Sequence, residues 1–180
     1  MNIKDFILIY PPTLTRTLEL PYGGLYLAES LIKKGYTVGL INEYTEKKVL
    51  NLIDEYAGDS SIAFGISVVS GPVIEDAIKI AKYIRNKFPG KTIIWGGPHV
   101  TTLPEQTLQS KYVDYVVWGE GEISLPSLLD HIVKKRSIDD IDRIGYIDNN
   151  GKCEVTKNSG YTTLAGVFQL PYHLLNMEPY

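Results

Sequence analysis

The residues of this chain that could do chemistry lie where short apolar runs end. Three of these runs stop at Ser67, at Gly96-Gly97 and at Gly119-Glu120-Gly121-Glu122. A parallel sheet binds ligands at the carboxyl ends of its strands, and residues without side chains let a bulky ligand lie against the backbone. The pattern predicts a binding edge for a large ligand, and we assign no catalytic residue to it.

The elements that must position these loops alternate along the chain. Apolar runs that are buried on both faces predict five strands, at Phe6–Tyr10, Thr37–Ile41, Ile62–Ile66, Thr92–Trp95 and Val113–Trp118. Helical spacing of apolar residues predicts the helices between and after them, from Pro21 to Gly35, Glu46–Tyr56, Ile74–Phe88, Glu105–Gln109 and Ser124–Lys135. This alternation predicts an α/β fold, a flavodoxin-like or Rossmann-like doubly wound parallel sheet in the order 2-1-3-4-5.

The pattern changes after residue 136. Ile144–Ile147 and Lys152–Thr156, joined by a turn at Asp148–Gly151, predict a C-terminal β-hairpin. The tail from Asn158 has no regular period and is interpreted as an extended linker. We therefore expect an α/β domain at residues 1–136, followed by hairpin and linker at 137–180.

Composition excludes several classes of function. A net charge of −3 gives no electrostatic basis for binding nucleic acid. The single Cys153 excludes an intrachain disulfide framework and cannot by itself hold a metal or an iron–sulfur cluster. The first apolar run is too short for a signal peptide or a membrane span, so we expect a cytoplasmic protein without a membrane partner.

The loops also distinguish among the uses of a doubly wound sheet. A phosphorelay receiver needs acidic residues where this chain has Pro11-Pro12 and Ser67, and the G-x-G-x-x-G loop of a dinucleotide site is absent. Thr13, Thr15 and Thr17 could serve an FMN phosphate, but the glycines arrive only at Gly23-Gly24. A flavodoxin-like FMN protein therefore stays open as an alternative.

Several segments of the chain, in the same order along the sequence, resemble segments of a known family. They are Pro21–Ala28, Gly65–Ser67, Gly96–His99 with Leu103–Glu105, Gly119–Glu122 and, at the end of the chain, Leu170–Tyr180. Together they cover most of the sequence and resemble the cobalamin (vitamin B12)-binding domain, in the version that stands N-terminal to the barrel of B12-dependent radical SAM enzymes. The last segment is similar to the linker before that barrel, so we expect an excised N-terminal domain.

The resemblance implies that cobalamin is the cofactor. The glycines would open a slot for the displaced nucleotide tail, and Ser67 would hydrogen-bond the nitrogen of its heterocycle. The corrin would face Thr13, Leu14, Val69, Ser70 and Pro98. The full set of expected cofactor-binding residues is Thr13, Leu14, Ser67, Val68, Val69, Ser70, Gly96, Gly97, Pro98, His99, Gly119, Glu120, Gly121 and Glu122. Because a cavity-facing strand end tolerates bulk, we expect Gly97→Leu to abolish corrinoid binding and leave the fold intact.

Two departures from related families limit what the chain can do. The first loop lacks the histidine that ligates cobalt in mutase-type domains, so we expect no protein ligand to the metal from that position. No Cys-x3-Cys-x2-Cys triplet is present either. The resemblance therefore implies that a [4Fe-4S] cluster and S-adenosylmethionine bind elsewhere in a parent radical SAM enzyme, of the methyltransferase type, and that this chain alone catalyses nothing.

Simpler interpretations compete at individual residues. Glu120 and Glu122 could cap the helix that follows them, and His99 could be a hydrogen-bonding surface residue. His131 and His173 are interpreted as structural, and Tyr22, Tyr26 and Trp95 as core residues. The domain could also keep the family fold without cobalamin and serve a structural or interaction role.

Overall fold

The structure, a computed structural model, describes residues 2–12, 19–157, 169–178 and 180. The strands are β1 (Phe6–Tyr10), β2 (Val38–Asn42), β3 (Ala63–Ser67), β4 (Thr92–Gly96), β5 (Tyr115–Val117), β6 (Ile144–Ile147) and β7 (Cys153–Val155). The helices are α1 (Tyr22–Lys33), α2 (Glu46–Tyr56), α3 (Val73–Lys87), α4 (Pro98–Thr102), α5 (Pro104–Leu108) and α6 (Ser124–Ile132), followed by a 3₁₀ turn at Tyr172–Leu174.

The strands form one sheet in the order β2-β1-β3-β4-β5-β6-β7. The first five are parallel and take the predicted order, which confirms the doubly wound α/β fold. The predicted hairpin pairs antiparallel with β5, with Ile144 opposite Val117, so the sheet has seven strands where we expected five. Sequence periodicity locates a hairpin but does not say which strand it pairs with.

The sheet separates two apolar cores, which explains why its strands are continuously apolar. Ile7 and Ile9 of β1 enter the core beneath α2 and α3, whereas Phe6 and Leu8 enter the core beneath α1 and α6. Successive side chains of a strand point to opposite faces, so a strand covered on both sides must be apolar at every position. The second core borders the candidate site.

The helices begin and end where local chemistry requires. Thr45 caps α2 by accepting a hydrogen bond from the Lys48 backbone N–H at 3.3 Å, and α2 has the predicted bounds. The predicted short helix at Glu105–Gln109 is present as α5, one residue earlier, and it is preceded by α4, which was not predicted; each of the two begins at a proline. Helix α6 ends at Ile132, three residues before the predicted end, and Lys134 has a positive φ of 62°.

Tyr22, which we expected in the core, is 52% exposed. Two helical isoleucines also lie at the surface, with Ile32 39% and Ile78 37% exposed. In α3 the buried stripe runs through Ala77, Ile80, Ala81 and Ile84, which leaves Ile78 beside the stripe and not within it. Trp95 is buried, as predicted.

The C-terminal residues that are described pack against the α1 side of the domain. Gln169 donates its backbone N–H to Glu29 at 3.1 Å, and Asn42 Nδ2 donates to the Tyr180 hydroxyl at 2.7 Å. Leu170, Leu174 and Leu175 pack on the second core. The domain boundary after residue 136 stays a prediction. No helix among the described residues is long and apolar enough to cross a membrane.

Candidate functional site

A cavity of about 410 Å³ opens at the carboxyl ends of β1, β3, β4 and β5, between the sheet and helices α1 and α6. Most of the expected binding residues line it, namely Ser67, Val69, Gly96, Gly97, Pro98, Gly119, Glu120, Gly121 and Glu122. Parallel strands end at the same edge of a sheet, so loops far apart in sequence meet there. The structure thus brings the three loops singled out from the sequence around one space.

The other expected residues lie elsewhere. Val68 is fully buried in the opposite core. Ser70 and His99 hydrogen-bond to each other, with 3.0 Å between Oγ and Nδ1, and are not among the residues that line the cavity. This contact fits the interpretation of His99 as a hydrogen-bonding residue. Thr13 and Leu14 lie outside the described residues.

The backbone conformation at position 97 requires glycine. Its φ of 95° and ψ of −175° belong to a region that is essentially restricted to glycine. A Cβ atom there would lie 2.9 Å from both the backbone nitrogen and the backbone oxygen of Val68. The expected tolerance of Gly97→Leu is therefore wrong, because the added side chain would first disturb the contact between two loops.

Gly96 and Gly121 keep the cavity open on the β5 side. A Cβ on Gly96 would lie 3.3 Å from the carbonyl oxygen of Val117. A Cβ on Gly121 would lie 3.0 Å from Leu27 Cδ2 and 3.2 Å from Val117 Cγ1. Both positions are tighter than ordinary van der Waals contact, so side chains here would close the gap between the sheet and α1.

Several cavity residues were missed by sequence reasoning. Tyr10, Gly23, Leu27 and Leu125 contribute walls from β1, α1 and α6. The Tyr10 hydroxyl hydrogen-bonds with the Ser67 side chain and the Gly24 backbone, while burial raises the pKa of Tyr10 above its ordinary value. The position of Tyr10 as the last residue of a predicted strand could have identified it, since strand ends form the site.

The two glutamates of the loop after β5 have different surroundings. Glu120 Oε2 lies 3.2 Å from Arg143 Nη1, and the side chain of Arg143 is only 7% exposed. Glu122 Oε2 is buried without a hydrogen-bond partner. Helix α6 has Ile123 as its N-cap and no capping bond from a side chain, so neither carboxylate caps it.

The polar groups of the site suit the binding of a large neutral ligand better than that of a metal ion. The cavity wall is mainly apolar and backbone, and its polar residues are Tyr10, Ser67, Glu120 and Glu122. Among the described residues, no group of three or more His, Cys, Asp or Glu side chains could hold a metal ion.

Comparison with known families identifies the ligand that a site of this kind binds. The family model of the B12 binding domain matches residues 16–129, which include β2 to β5 and most of the cavity residues. The chain belongs to the B12-binding domain family. The family expected from the sequence is confirmed, and cobalamin is the ligand of that family.

Related proteins are larger than this B12-binding domain. The uncharacterised methyltransferase PH0819 of Pyrococcus horikoshii is 29% identical over 194 residues, which is 100% of this chain and 40% of that protein. The cobalamin-dependent radical SAM methyltransferase TokK of Streptomyces tokunonensis is 36% identical over 53 residues, 29% of this chain and 8% of that protein. The chain thus spans less than half the length of these relatives.

Solved structures share the fold at low sequence identity. The cobalamin-dependent radical enzyme OxsB, with aqua-cobalamin and S-adenosylmethionine bound, matches with a TM-score of 0.71 and 20% identity over 88% of this chain and 23% of its own. TsrM from Kitasatospora setae, with cobalamin and a [4Fe-4S] cluster bound, matches with a TM-score of 0.71 and 20% identity over 93% of this chain and 31% of its own.

Proposed function

We propose that this chain is the cobalamin-binding module of a B12-dependent radical SAM enzyme of the methyltransferase type. The observation that carries the proposal is the cavity at the carboxyl edge of the sheet, lined by the glycine loops of a B12-binding domain. The [4Fe-4S] cluster and S-adenosylmethionine would be held by a further domain of the parent protein. This chain would bind the cofactor and contribute no catalytic residue.

The cavity fits a flat heterocyclic group better than a polar one. Its volume of about 410 Å³ lies within the range of roughly 300–1,000 Å³ that is typical of small-molecule sites. Leu27, Val117 and Leu125 supply apolar walls, while Ser67 and Tyr10 supply hydroxyls. We propose that the nucleotide tail of cobalamin occupies this space and that Ser67 satisfies its buried nitrogen.

The corrin ring would lie at the opening of the cavity. We propose that Thr13, Leu14, Val69, Ser70 and Pro98 face it, and that cobalt receives no imidazole from the first loop. When bound, cobalamin supplies a cobalt centre that can carry a methyl group. The chain itself would keep water from the tail by burying it between the sheet, α1 and α6, since apolar walls exclude water more effectively than polar ones.

The test is retention of cofactor by the purified chain. After mixing with hydroxocobalamin and desalting, the visible spectrum should show corrinoid at close to one equivalent. The absence of corrinoid would contradict the proposal and favour a domain that keeps the fold without the cofactor. A yellow purified protein with a flavin spectrum would favour the FMN alternative.

A cavity-blocking variant shows whether the tail uses the proposed space. Gly23 lies in α1 and lines the cavity, and the atom nearest to an added Cβ is the Tyr10 hydroxyl at 3.8 Å, so a side chain can start there without a clash. Tryptophan is also a better helix former than glycine. We expect the indole to occupy the cavity and to weaken cobalamin binding by at least about tenfold, the effect of losing about 1.4 kcal/mol.

Lys34→Trp is the matched control for this variant. Lys34 is the exposed C-cap of the same helix, and it does not line the cavity. The control should retain the affinity of the wild-type chain. Equal cobalamin affinity of Gly23→Trp and the wild type would place the tail outside the cavity.

A further inference from the structure

Tyr10 and Ser67 end neighbouring strands and face the same cavity. Strands β1 and β3 pair Ile9 with Ile66, and both of these side chains enter the core beneath α2 and α3. The next residue of each strand, Tyr10 and Ser67, therefore points to the other side of the sheet. Both line the cavity, and their side chains are joined by a hydrogen bond. The hydroxyl that we assign to the ligand thus has a protein partner of its own.

Helix α1 contacts Tyr10 from the other side. The backbone of Gly24, in the first turn of α1, hydrogen-bonds with the Tyr10 hydroxyl. A Cβ on Gly24 would lie 2.7 Å from Tyr10 Cε2 and 2.9 Å from the Tyr10 hydroxyl oxygen, so the ring packs directly against the backbone of the helix. The N–H groups of a first helical turn have no acceptor within the helix, and the Tyr10 oxygen supplies one for Gly24.

The direction of these hydrogen bonds follows from what each group can do. A backbone N–H only donates, so the oxygen of Tyr10 accepts from Gly24. The single hydrogen of the Tyr10 hydroxyl is then available to Ser67, whose oxygen accepts it. Ser67 keeps its own hydrogen, which it can donate into the cavity. A serine without this bond would be equally free to turn and present its lone pairs to the ligand.

A nucleotide tail displaced from cobalt brings an acceptor into the cavity. The nitrogen of its base, released from the metal, has a lone pair that accepts a hydrogen bond. An acceptor buried among the apolar side chains of Leu27, Val117 and Leu125 without a donor would lower the affinity of the ligand. Ser67 satisfies this nitrogen as a donor and fails to do so as an acceptor.

We propose that Tyr10 is a positioning residue that turns the Ser67 hydroxyl toward the cavity as a hydrogen-bond donor, and thereby favours corrinoids whose tail carries a base with an acceptor nitrogen. The inference rests on the proposed function, since it assumes that the tail enters the cavity and meets Ser67. The Tyr10 hydroxyl acts through Ser67, and hydrogen bonds in such a chain strengthen one another. A tyrosine with only a structural role would support every corrinoid equally.

The experiment combines two corrinoids with a double-mutant cycle. Hydroxocobalamin carries a benzimidazole base with an acceptor nitrogen, whereas the base of p-cresolylcobamide is a phenol ring without nitrogen. Isothermal titration calorimetry measures the affinity of both for the wild-type chain, Tyr10→Phe, Ser67→Ala and the double variant. Tyr83→Phe is the matched control, because the Tyr83 hydroxyl donates to Asp54 of α2 at 2.7 Å and Tyr83 packs on the opposite core.

The proposal requires a specific pattern of affinities. Tyr10→Phe should lose about three- to tenfold in affinity for hydroxocobalamin and change its affinity for p-cresolylcobamide by no more than about twofold. Ser67→Ala should lose at least about fivefold for hydroxocobalamin alone, because the nitrogen is left without a donor. In the Ser67→Ala background, Tyr10→Phe should cost no more than about twofold, since no hydroxyl remains to be oriented. Tyr83→Phe should match the wild type.

Other patterns would overturn the inference in distinguishable ways. Unchanged affinity of Tyr10→Phe for hydroxocobalamin would show that Ser67 needs no orientation by Tyr10. Equal losses for the two corrinoids, or a loss that persists in the Ser67→Ala background, would make the role of Tyr10 structural. Equal losses for both corrinoids in Ser67→Ala would remove the serine from recognition of the nitrogen, whether or not the Tyr10 variant folds. Failure of the wild-type chain to bind hydroxocobalamin would contradict the proposed function as well.

Discussion

Replacing Gly97 with alanine should destabilise the protein even without a ligand. The backbone conformation at φ 95° and ψ −175° costs a residue with a side chain about 1–3 kcal/mol. The new Cβ would also lie 2.9 Å from Val68 N and O. Those atoms take part in hydrogen bonds of 2.8 Å to the Gly96 carbonyl and 3.0 Å from the His99 N–H, and weakening one of them adds about 0.5–1.5 kcal/mol.

The combined cost predicts a loss of roughly 2–4 kcal/mol in the free energy of unfolding. For a chain of this size, each kcal/mol lowers the unfolding temperature by about 2–4 °C, so a decrease of roughly 4–16 °C is expected. Thermal unfolding of the ligand-free chain followed by circular dichroism measures it. Gly23→Ala is the control, because a Cβ on helical Gly23 would meet only the Tyr10 hydroxyl, at 3.8 Å, and alanine should stabilise the helix by up to about 1 kcal/mol.

An unfolding temperature of Gly97→Ala equal to that of the wild type would show that position 97 does not require glycine. It would mean that the loops after β3 and β4 can separate without cost. The same result would restore the expectation, drawn from the sequence, that bulk at Gly97 affects only the ligand. Circular dichroism of the folded variant would confirm that its secondary structure is unchanged in that case.

Two further predictions concern side chains beside the site and at the far edge of the domain. Arg143 adopts a positive φ of 56° and pairs with Glu120, so Arg143→Ala should lower the free energy of unfolding by about 1–3 kcal/mol. Arg143→Gly relieves the backbone strain and should be the more stable of the two variants in urea denaturation. A more stable alanine variant would contradict the role of backbone strain. Burial, and then the hydrogen bond to Asp130, raises the pKa of the Tyr36 hydroxyl above its ordinary value. The stability that comes from this pKa shift is present below about pH 10, where unfolded tyrosine is neutral, and is lost as the pH rises further. In urea denaturation, Tyr36→Phe should therefore lose less stability than the wild type between about pH 9 and pH 11. Equal losses of stability in the two proteins would contradict the raised pKa of Tyr36.

Much of the architecture follows from the sequence because its signals are local. The apolar runs identify the five parallel strands, and the cap at Thr45 fixes the start of α2. Strand ends then identify the loops that line the cavity, since all parallel strands end at one edge. Nine of the expected binding residues line the cavity for this reason, namely Ser67, Val69, Gly96, Gly97, Pro98, Gly119, Glu120, Gly121 and Glu122.

The rest depends on distant contacts that no local pattern contains. The hairpin pairs with β5 because that edge of the sheet is otherwise open, and hairpins of similar sequence can also stand alone. Leu27 enters the cavity through the packing of α1 on the sheet, whereas helical periodicity reports only which side of a helix is apolar. The positive φ of Gly97 likewise belongs to a loop whose neighbours Gly96 and His99 are hydrogen-bonded to Val68, a contact between distant segments.

A crystal structure of the chain grown with hydroxocobalamin would show directly whether the cavity holds the nucleotide tail. We predict that the nucleotide tail is displaced from cobalt and lies in the cavity between the sheet and α1 and α6, against Gly96 and Gly121 and within hydrogen-bonding distance of Ser67. A tail that stays coordinated to cobalt, with no corrinoid atom in the cavity, would show that this chain does not bind cobalamin in the proposed way.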